Sequence, residues 1–255
     1  MDPILKSIRE YWDAYAEGLE VDGAKWGSLE FFTEIKILHD RAYGYANRIL
    51  DFDQLRGRSL LELAPGVGLD TVEFAAHGAE VTAIDLSPRC LELARMSLAC
   101  RDLGGVFELG NVEELPYPDN HFDIVVARGL FMYTRDDVRL LDEILRVVKP
   151  GGVAQIMLHN RRSWYVALAR LSGSNLFAQA GDPPINRVYT VADARRIAGR
   201  FSSYELHYDR FPSTQTSRTG VAAWLFDKVF VPMSRLLPRA IVDPMGFYMI
   251  IRAVK

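Results

Sequence analysis

The sequence predicts an α/β fold in which one largely parallel β-sheet is flanked by helices. From residue 59 onward, short β-rich apolar runs alternate with segments whose apolar residues recur every three or four positions. Alternation of this kind is typical of βαβ units, whose strands lie parallel. The chain has 255 residues, of which 49% are hydrophobic and 25% charged, so it can bury a sizeable core.

The elements follow from the order of these runs. We expect strands near 59–63, 80–84, 105–109, 122–127 and 152–158, with helices near 68–77, 88–101 and 136–148 between them. The KPGG stretch at 149–152 is expected to end the third helix and turn the chain into the next strand. A helix near 191–200 then precedes residues 202–211, which can form a hairpin with the terminal GFYMIIRAVK strand.

Three regions depart from this alternation. Residues 1–57 are helical and rich in aromatic side chains, which either pack into the core or form a lid. Residues 160–189 and 212–243 interrupt the pattern with short helices and loops. Because there is no repeat or long linker, we expect a single domain, 1–255. It comprises an N-terminal helical lid (1–57), a ligand-binding core (58–158), and cap insertions with a C-terminal helix and strand hairpin (159–255).

Composition and charge argue against several classes of protein. A net charge of −3 provides no overall field that would attract nucleic acid. The most apolar late stretch is interrupted by Asp227 and Lys228, so no stable membrane insertion is expected. Cys90 and Cys100 fall in one predicted helix, about 15 Å apart, which is too far for a disulfide. With an N-terminus lacking a signal-peptide core and no Cys/His metal spacing, this predicts a cytoplasmic, metal-free protein.

A glycine-containing loop lies between the first two apolar runs, in the stretch LLELAPGVGLDTVEFAAHGAEVTAIDLSP. Such a loop is expected at the carboxyl ends of the strands, where open α/β sheets bind their ligands. Gly66 and Gly68 allow a tight turn and a close approach of backbone to ligand. The dinucleotide pattern G-x-G-x-x-G needs a third glycine, but Thr71 stands at that position. A nicotinamide cofactor is therefore disfavoured.

The charges around this loop favour a different ligand. Glu62 precedes the loop and Asp70 follows it, which is a poor setting for a pyrophosphate. S-adenosylmethionine matches better, because its ammonium and sulfonium groups suit carboxylates and its carboxylate can accept the N–H groups of the loop. Asp85 ends the second strand and can accept hydrogen bonds from two ribose hydroxyls, although dinucleotide folds also place an acid there.

Four elements in this order resemble the class I S-adenosylmethionine-dependent methyltransferases, particularly the bacterial small-molecule type, over about residues 58–158. ELAPGVG (62–68) resembles the E-x-G-x-G-x-G loop, with Ala64 in place of the first glycine, a mild departure if its φ stays negative. Asp85 matches the ribose-binding acid. The segment 110–127 resembles the one whose second residue contacts the adenine amino group, and LLDEILRVVKPGG resembles the helix and turn that follow.

This resemblance implies a Rossmann-like, seven-stranded sheet with helical cap elements, and methyl transfer from S-adenosylmethionine to a small-molecule acceptor, with secondary metabolism as a candidate setting. The rivals are a non-catalytic S-adenosylmethionine-binding or regulatory protein and an NAD-dependent oxidoreductase. Asn111 stands where aspartate is usual, and it can accept from adenine or act as the N-cap of a helix beginning in VEEL (112–115). The implied cofactor-binding residues are Glu62, Ala64, Gly66, Gly68, Asp85, Leu86, Asn111, Val112 and Arg128.

Candidates for chemistry and acceptor binding lie at the same edge of the sheet. His159 closes the fifth strand and is a candidate general base, unless it only bonds neighbouring loops. Arg128 ends the fourth strand, where it can contact the cofactor carboxylate or an anionic substrate, or form a surface ion pair. Tyr43 and Tyr133 are candidate substrate residues, and YWDAYA (11–16) resembles the family element that closes over the cofactor.

The acceptor pocket is expected to come from the regions outside the sheet pattern. We predict a partly apolar pocket lined from residues 26–45, 160–189 and 212–235. Alternatively, residues 212–235 form a homodimer contact or a membrane-surface patch. Positioning and exclusion of water would supply much of the rate of an in-line displacement. The sequence leaves O-, N-, S- and C-methylation open.

Overall fold

The computed structural model describes residues 2–47, 49–164, 166–167, 182–208, 228–229, 232, 236–238 and 242–255. The strands are β1 (Ser59–Leu63), β2 (Glu80–Asp85), β3 (Val106–Leu109), β4 (Phe122–Ala127), β5 (Val148–His159), β6 (Ser203–Tyr208) and β7 (Tyr248–Val254). They form one sheet in the order β3-β2-β1-β4-β5-β7-β6. β1 to β5 run parallel, and β7 is antiparallel to both of its neighbours. The predicted α/β class and the hairpin-like pairing of the last two strands are confirmed.

Within the described residues, the helices that flank the sheet are α1 (Pro3–Glu17), α2 (Leu29–Asn47), α3 (Leu69–Ala76), α4 (Pro88–Ala99), α5 (Asp137–Val147) and α6 (Val191–Ala198). Short 3₁₀ turns occupy Phe52–Gln54 and Asp243–Met245. Several helices start at a polar residue whose side chain accepts hydrogen bonds from backbone N–H groups that have no intrahelical partner. Asp2 caps α1, Ser87 caps α4 and Asp136 caps α5, while Thr190 and Asp193 form a reciprocal capping box at α6.

The KPGG stretch differs from its prediction. β5 begins at Val148, directly after α5, rather than near residue 152. Phe122 of β4 pairs with Val148, but Ile124 pairs with Val153, so the register shifts across the intervening residues. Gly151 adopts a φ of +75° there, which glycine tolerates without steric cost. The turn expected before the strand is therefore an irregularity inside it.

The N-terminal helices pack against the sheet's own helices. Phe31 and Phe32 of α2 are fully buried in a cluster with Leu69 of α3 and Cys90 and Leu93 of α4. This aromatic region therefore contributes to the core. Both cysteines are free thiols, with Cys90 buried and Cys100 exposed. Among the helices in the described ranges, none has the length and apolar character needed to cross a membrane.

Candidate functional site

The loop after β1 has an unusual backbone at Ala64. Its φ is +57°, in the left-handed region, so the expectation that this residue keeps a negative φ is wrong. The Ala64 N–H donates to the Ile84 carbonyl at 2.8 Å, which ties the start of the loop to β2. An L-residue in this conformation costs about 1–2 kcal/mol, so alanine at this position carries strain that glycine would not.

The two loop glycines serve different purposes. Both have positive φ, +55° at Gly66 and +75° at Gly68. A Cβ on Gly68 would lie 2.6 Å from the Cα of Ala94 on α4, whereas a Cβ on Gly66 would meet no atom within 4 Å. Gly68 therefore permits the close approach of α3 to α4, and its predicted ligand contact stays a prediction. Gly66 leaves open space beside the loop.

That open space belongs to a cavity at the carboxyl edge of the parallel strands, with about 650 Å³ of empty space including its mouth. Its walls come from α1, the glycine loop, the end of β2, the turn after β3 and the loop after β4. The lining residues are Leu5, Ile8, Trp12, Ala64, Gly66, Asp85, Leu86, Cys90, Asn111, Val112, Glu113, Gly129, Leu130, Tyr133, Thr134 and Arg135.

The structure thus brings seven of the predicted site residues to one cavity: Ala64, Gly66, Asp85, Leu86, Asn111, Val112 and Tyr133. Glu62, Gly68, Arg128 and His159, all in the described part of the chain, do not line it. The side chain of Tyr43 lies outside the described residues. Most of the predicted cap, including residues 168–181 and 209–227, also lies outside them, so the acceptor pocket stays a prediction.

Asp85 presents a buried carboxyl group to the cavity. The N–H of Ser87 donates to its Oδ1 at 2.9 Å. Burial raises the pKa of Asp85 to about 6, although hydrogen bonds from the backbone of Ser87, Gly66 and Leu86 favour the ionised form. Above that pH the group is an ionised acceptor, which suits two neighbouring hydroxyl donors.

Arg128 is engaged in a buried network beside the cavity. Its Nη1 lies 3.0 Å from Asp70 Oδ2, and both side chains are less than a tenth exposed. Its Nε donates to Gln155 Oε1 at 2.6 Å, and its Nη2 donates to the carbonyl of Ala46 at the end of α2. These bonds give Arg128 a structural role, and because the pair is buried the alternative of a surface ion pair is wrong, while the predicted contact of Arg128 with a cofactor or substrate stays a prediction.

The carboxyl groups of this network have opposite pKa shifts. Burial alone would raise the pKa of Asp70, but the positive charge of Arg128, and then His39, outweighs it and lowers the pKa. Burial, followed by the charge of Asp70, raises the pKa of Glu62 to about 8. Glu62 accepts the hydroxyl of Thr71 at 2.6 Å. Glu62 thus fastens the start of α3 to β1 instead of lining the cavity.

Asn111 uses its side chain locally. Its Oδ1 accepts the N–H of Glu113 at 3.0 Å, a capping bond that begins a turn, whereas the sequence alternative was the N-cap of a helix. An amide oxygen has a second lone pair, so an adenine contact is compatible with this bond and stays a prediction. Val112 is buried beside it and adds an apolar wall to the cavity.

His159 is an unsuitable base in this conformation. It is buried, with its ring stacked on Phe247 at 4.6 Å and edge-on to Tyr133 at 6.0 Å. Burial lowers the pKa of His159 to about 3, because the charged imidazolium is poorly solvated there. A general base works best with a pKa near the operating pH. The structure therefore disfavours the predicted catalytic role.

Helix α1 forms one wall of the cavity; of its lining residues only Trp12 lies in the YWDAYA stretch (11–16) that resembles the family element closing over the cofactor, and Leu5 and Ile8 were not among the predicted site residues. Leu5, Ile8 and Trp12 line the cavity. Their three- and four-residue spacing puts them on one helix face, and this spacing was the available signal. Asp13 accepts the Ser87 hydroxyl at 2.6 Å, and Asp2 pairs with Arg135 at 2.7 Å. These contacts hold both ends of α1 to the cavity rim.

Comparison with known proteins finds methyltransferases. Residues 61–156 match the model of a methyltransferase domain. A ubiquinone/menaquinone biosynthesis C-methyltransferase from Psychromonas ingrahamii is 40% identical over 105 residues, 38% of this chain and 41% of that protein. A demethylmenaquinone methyltransferase from Clavibacter sepedonicus is 30% identical over 169 residues, covering 66% and 64%. The chain therefore spans less than two thirds of the length of these curated relatives.

Solved structures agree at the level of the fold. A crystal structure from Thermotoga maritima, described as an S-adenosylmethionine-dependent methyltransferase and possible histamine N-methyltransferase, superposes with a TM-score of 0.61 and 17% identity. The match covers 96% of this chain and 99% of that one. The sheet order, the glycine loop, the buried acid at the end of β2 and the matching domain agree: residues 61–156 form a methyltransferase domain, and the chain resembles the class I S-adenosylmethionine-dependent methyltransferases.

Proposed function

We propose that this protein transfers a methyl group from S-adenosylmethionine to a small-molecule acceptor. The observation that carries the proposal is the cavity at the strand ends, where an open glycine position faces a buried carboxyl group. A Cβ on Gly66 would occupy space that the ligand needs. Asp85 is positioned to accept ribose hydroxyls, and Val112 and Leu130 offer apolar surface for the adenine ring.

When bound, the cofactor supplies a methyl group activated by the adjacent sulfonium. The residues of the chain bind the cofactor, orient it and exclude water. Trp12 and Ile8 on α1 cover the cavity with apolar surface, which removes water from the reacting centre. Because the imidazole of His159 is neutral and weakly basic, we propose that transfer depends on positioning, and that the proton lost by the acceptor passes to solvent after transfer and not to that ring.

The acceptor that fits best is an apolar molecule with an aromatic ring. Aromatic side chains extend from the cavity toward the ends of β5 and β7: Trp12 contacts Tyr133 edge-to-face at 5.2 Å, and Tyr133 contacts His159, which stacks on Phe247. Such surfaces favour planar, apolar partners. The names of two similar proteins, ubiquinone/menaquinone C-methyltransferase and 2-methyl-6-phytyl-1,4-hydroquinone methyltransferase, support an acceptor of this kind.

The first test is ligand binding by the full chain. S-adenosylhomocysteine should stabilise it against heat, by about 2.7 kcal/mol at 100 times the dissociation constant, whereas NAD should not. Asp85→Ala should weaken binding by about 1.5–3 kcal/mol for each charged hydrogen bond lost, measured by calorimetry. Asp142→Ala, at an exposed carboxylate paired with Arg200, is the matched control. A shift with NAD alone would instead support the oxidoreductase.

The second test is methyl transfer to candidate acceptors. Transfer of a labelled methyl group to simple hydroquinones or phenols would support the enzyme. S-adenosylhomocysteine binding without transfer to any acceptor across a broad panel would support the non-catalytic rival, a binding or regulatory protein. A further variant has residues 216–232 replaced by a short polar loop. If this variant keeps its cofactor affinity but loses methyl transfer, the result would support the predicted acceptor cap.

Location and partners complete the proposal. We propose a cytoplasmic protein, which the two free thiols support, because such thiols persist in a reducing compartment. The net charge of −3 supports the absence of a nucleic-acid partner. Light scattering of the purified chain would test the predicted homodimer, for which residues 212–235 are the candidate contact.

A further inference from the structure

A short extended segment, residues 187–189, lies between the end of β5 and the loop after β4. On one side, the Tyr189 N–H donates to the His159 carbonyl and the Arg161 N–H donates to the Tyr189 carbonyl, each at 2.8 Å. On the other side, the Arg187 N–H donates to the Met132 carbonyl at 2.9 Å. The segment therefore joins the sheet edge to a loop that belongs to neither a helix nor a strand.

The side chains of this segment bind the same loop. Arg187 donates through Nη1 to the Thr134 carbonyl and through Nη2 to the Arg135 carbonyl, the latter at 2.8 Å. The hydroxyl of Tyr189, a buried residue, lies 2.9 Å from the Phe131 carbonyl. Arg187 and Tyr189 thus form hydrogen bonds with four backbone carbonyls of residues 131–135. In a helix or strand, the regular backbone hydrogen bonds would satisfy such carbonyls.

The other surface of this loop is the wall of the cavity. Leu130, Tyr133, Thr134 and Arg135 line it. The planar guanidinium of Arg187 spans two successive carbonyls with separate nitrogens, so it restrains both the position and the orientation of the peptide units. A lysine ammonium could reach one of these carbonyls but would not reproduce the fork. Small displacements of a cavity wall are enough to weaken a bound ligand.

We infer that Arg187 is a positioning residue for the S-adenosyl ligand, acting through the loop 129–135, with Tyr189 as its second support. This inference rests on the proposed function. It assigns a stretch of the predicted acceptor cap, residues 182–190, to the architecture of the cofactor site. Arg187 itself does not line the cavity, so its effect passes through the backbone carbonyls that it holds.

The test compares S-adenosylhomocysteine binding by calorimetry in the full-length chain and three variants, Arg187→Met, Arg187→Lys and Tyr189→Phe. Arg187→Met should weaken binding at least tenfold, equivalent to about 1.4 kcal/mol. Arg187→Lys and added guanidinium ion should each restore part of the loss. In a transfer assay, KM for S-adenosylmethionine should rise more than kcat falls. Arg200→Met, at an exposed arginine paired with Asp142, is the matched control and should bind as the unaltered chain does.

The outcomes separate this inference from the proposed function. If the unaltered chain binds S-adenosylhomocysteine and a folded Arg187→Met variant binds equally well, the positioning role is wrong while the proposed function stands. If Arg187→Met does not fold, Arg187→Lys and Tyr189→Phe decide: weaker binding in both supports the role, and unchanged affinity overturns it. If the unaltered chain does not bind the ligand, the proposed function and this inference fail together.

Discussion

Alanine substitutions at the two loop glycines should separate packing from ligand contact. Each places an alanine at positive φ, which costs about 1–2 kcal/mol. Part of that cost, about 0.4–1 kcal/mol, is offset because alanine also restricts the unfolded chain. At Gly66 the new methyl meets no atom within 4 Å, so the net loss of unfolding free energy should be about 1 kcal/mol.

At Gly68 the methyl lies 2.6 Å from the Cα of Ala94 and 2.8 Å from its Cβ, so α3 or α4 must shift. Overpacking of this kind adds about 1–3 kcal/mol. Gly68→Ala should therefore lose about 2–4 kcal/mol in all. Urea unfolding without ligand measures both variants.

Ligand affinity should follow the opposite order. Gly66→Ala puts a methyl group into the cavity and should weaken S-adenosylhomocysteine binding more than tenfold by calorimetry, whereas folded Gly68→Ala should retain most of its affinity. Equal losses of stability in the two variants would refute the packing role of Gly68. Unchanged affinity in Gly66→Ala would refute the assignment of the open space to the ligand.

Three further predictions concern charge and the lid. Burial raises the pKa of Glu62 from an ordinary value of 4.5 to about 8, so the unfolded carboxyl ionises first as the pH rises. Unfolding free energy should therefore fall between about pH 4.5 and 8, and Glu62→Gln should flatten that slope in urea titrations. His159, whose pKa burial lowers to about 3, should show no imidazole titration by NMR between pH 5 and 8; an inflection near 6.5 would restore the general-base hypothesis. Asp13→Ala removes the acceptor of the Ser87 hydroxyl and should speed release of S-adenosylhomocysteine in stopped-flow measurements, while an unchanged rate would mean that α1 does not gate the cavity.

Much of the fold and part of the site could be predicted because the signals are local in the chain. Apolar alternation in the sequence predicts the bounds of β1, β2 and β4 to within one residue of those observed. The glycine loop and Asp85 follow β1 and β2 directly, and parallel strands bring their carboxyl ends to one edge. Local order along the chain was therefore enough to bring Gly66, Asp85 and Asn111 to one cavity.

Other features depended on contacts between distant segments. The φ of Ala64 is imposed by the attachment of the loop to β2, and the need for glycine at position 68 arises from Ala94 on α4. The position of Arg128 at a strand end can be seen in the sequence, and that position predicts a ligand contact. Its partners Asp70, Gln155 and Ala46 come from distant segments, so the sequence does not show these contacts.

The sequence by itself determined the α/β class, the order of the elements and the edge of the sheet at which the cavity lies, because periodicity and turn residues act over a few positions of the chain. Tertiary structure alone decided which side chains face the cavity and which are occupied elsewhere. Whether His159 can hold a proton depends on the burial created by Phe247 and Tyr133, which join it from remote parts of the chain. Solvation and hydrogen-bond partners are properties of the folded environment, so residue type and spacing could not supply them.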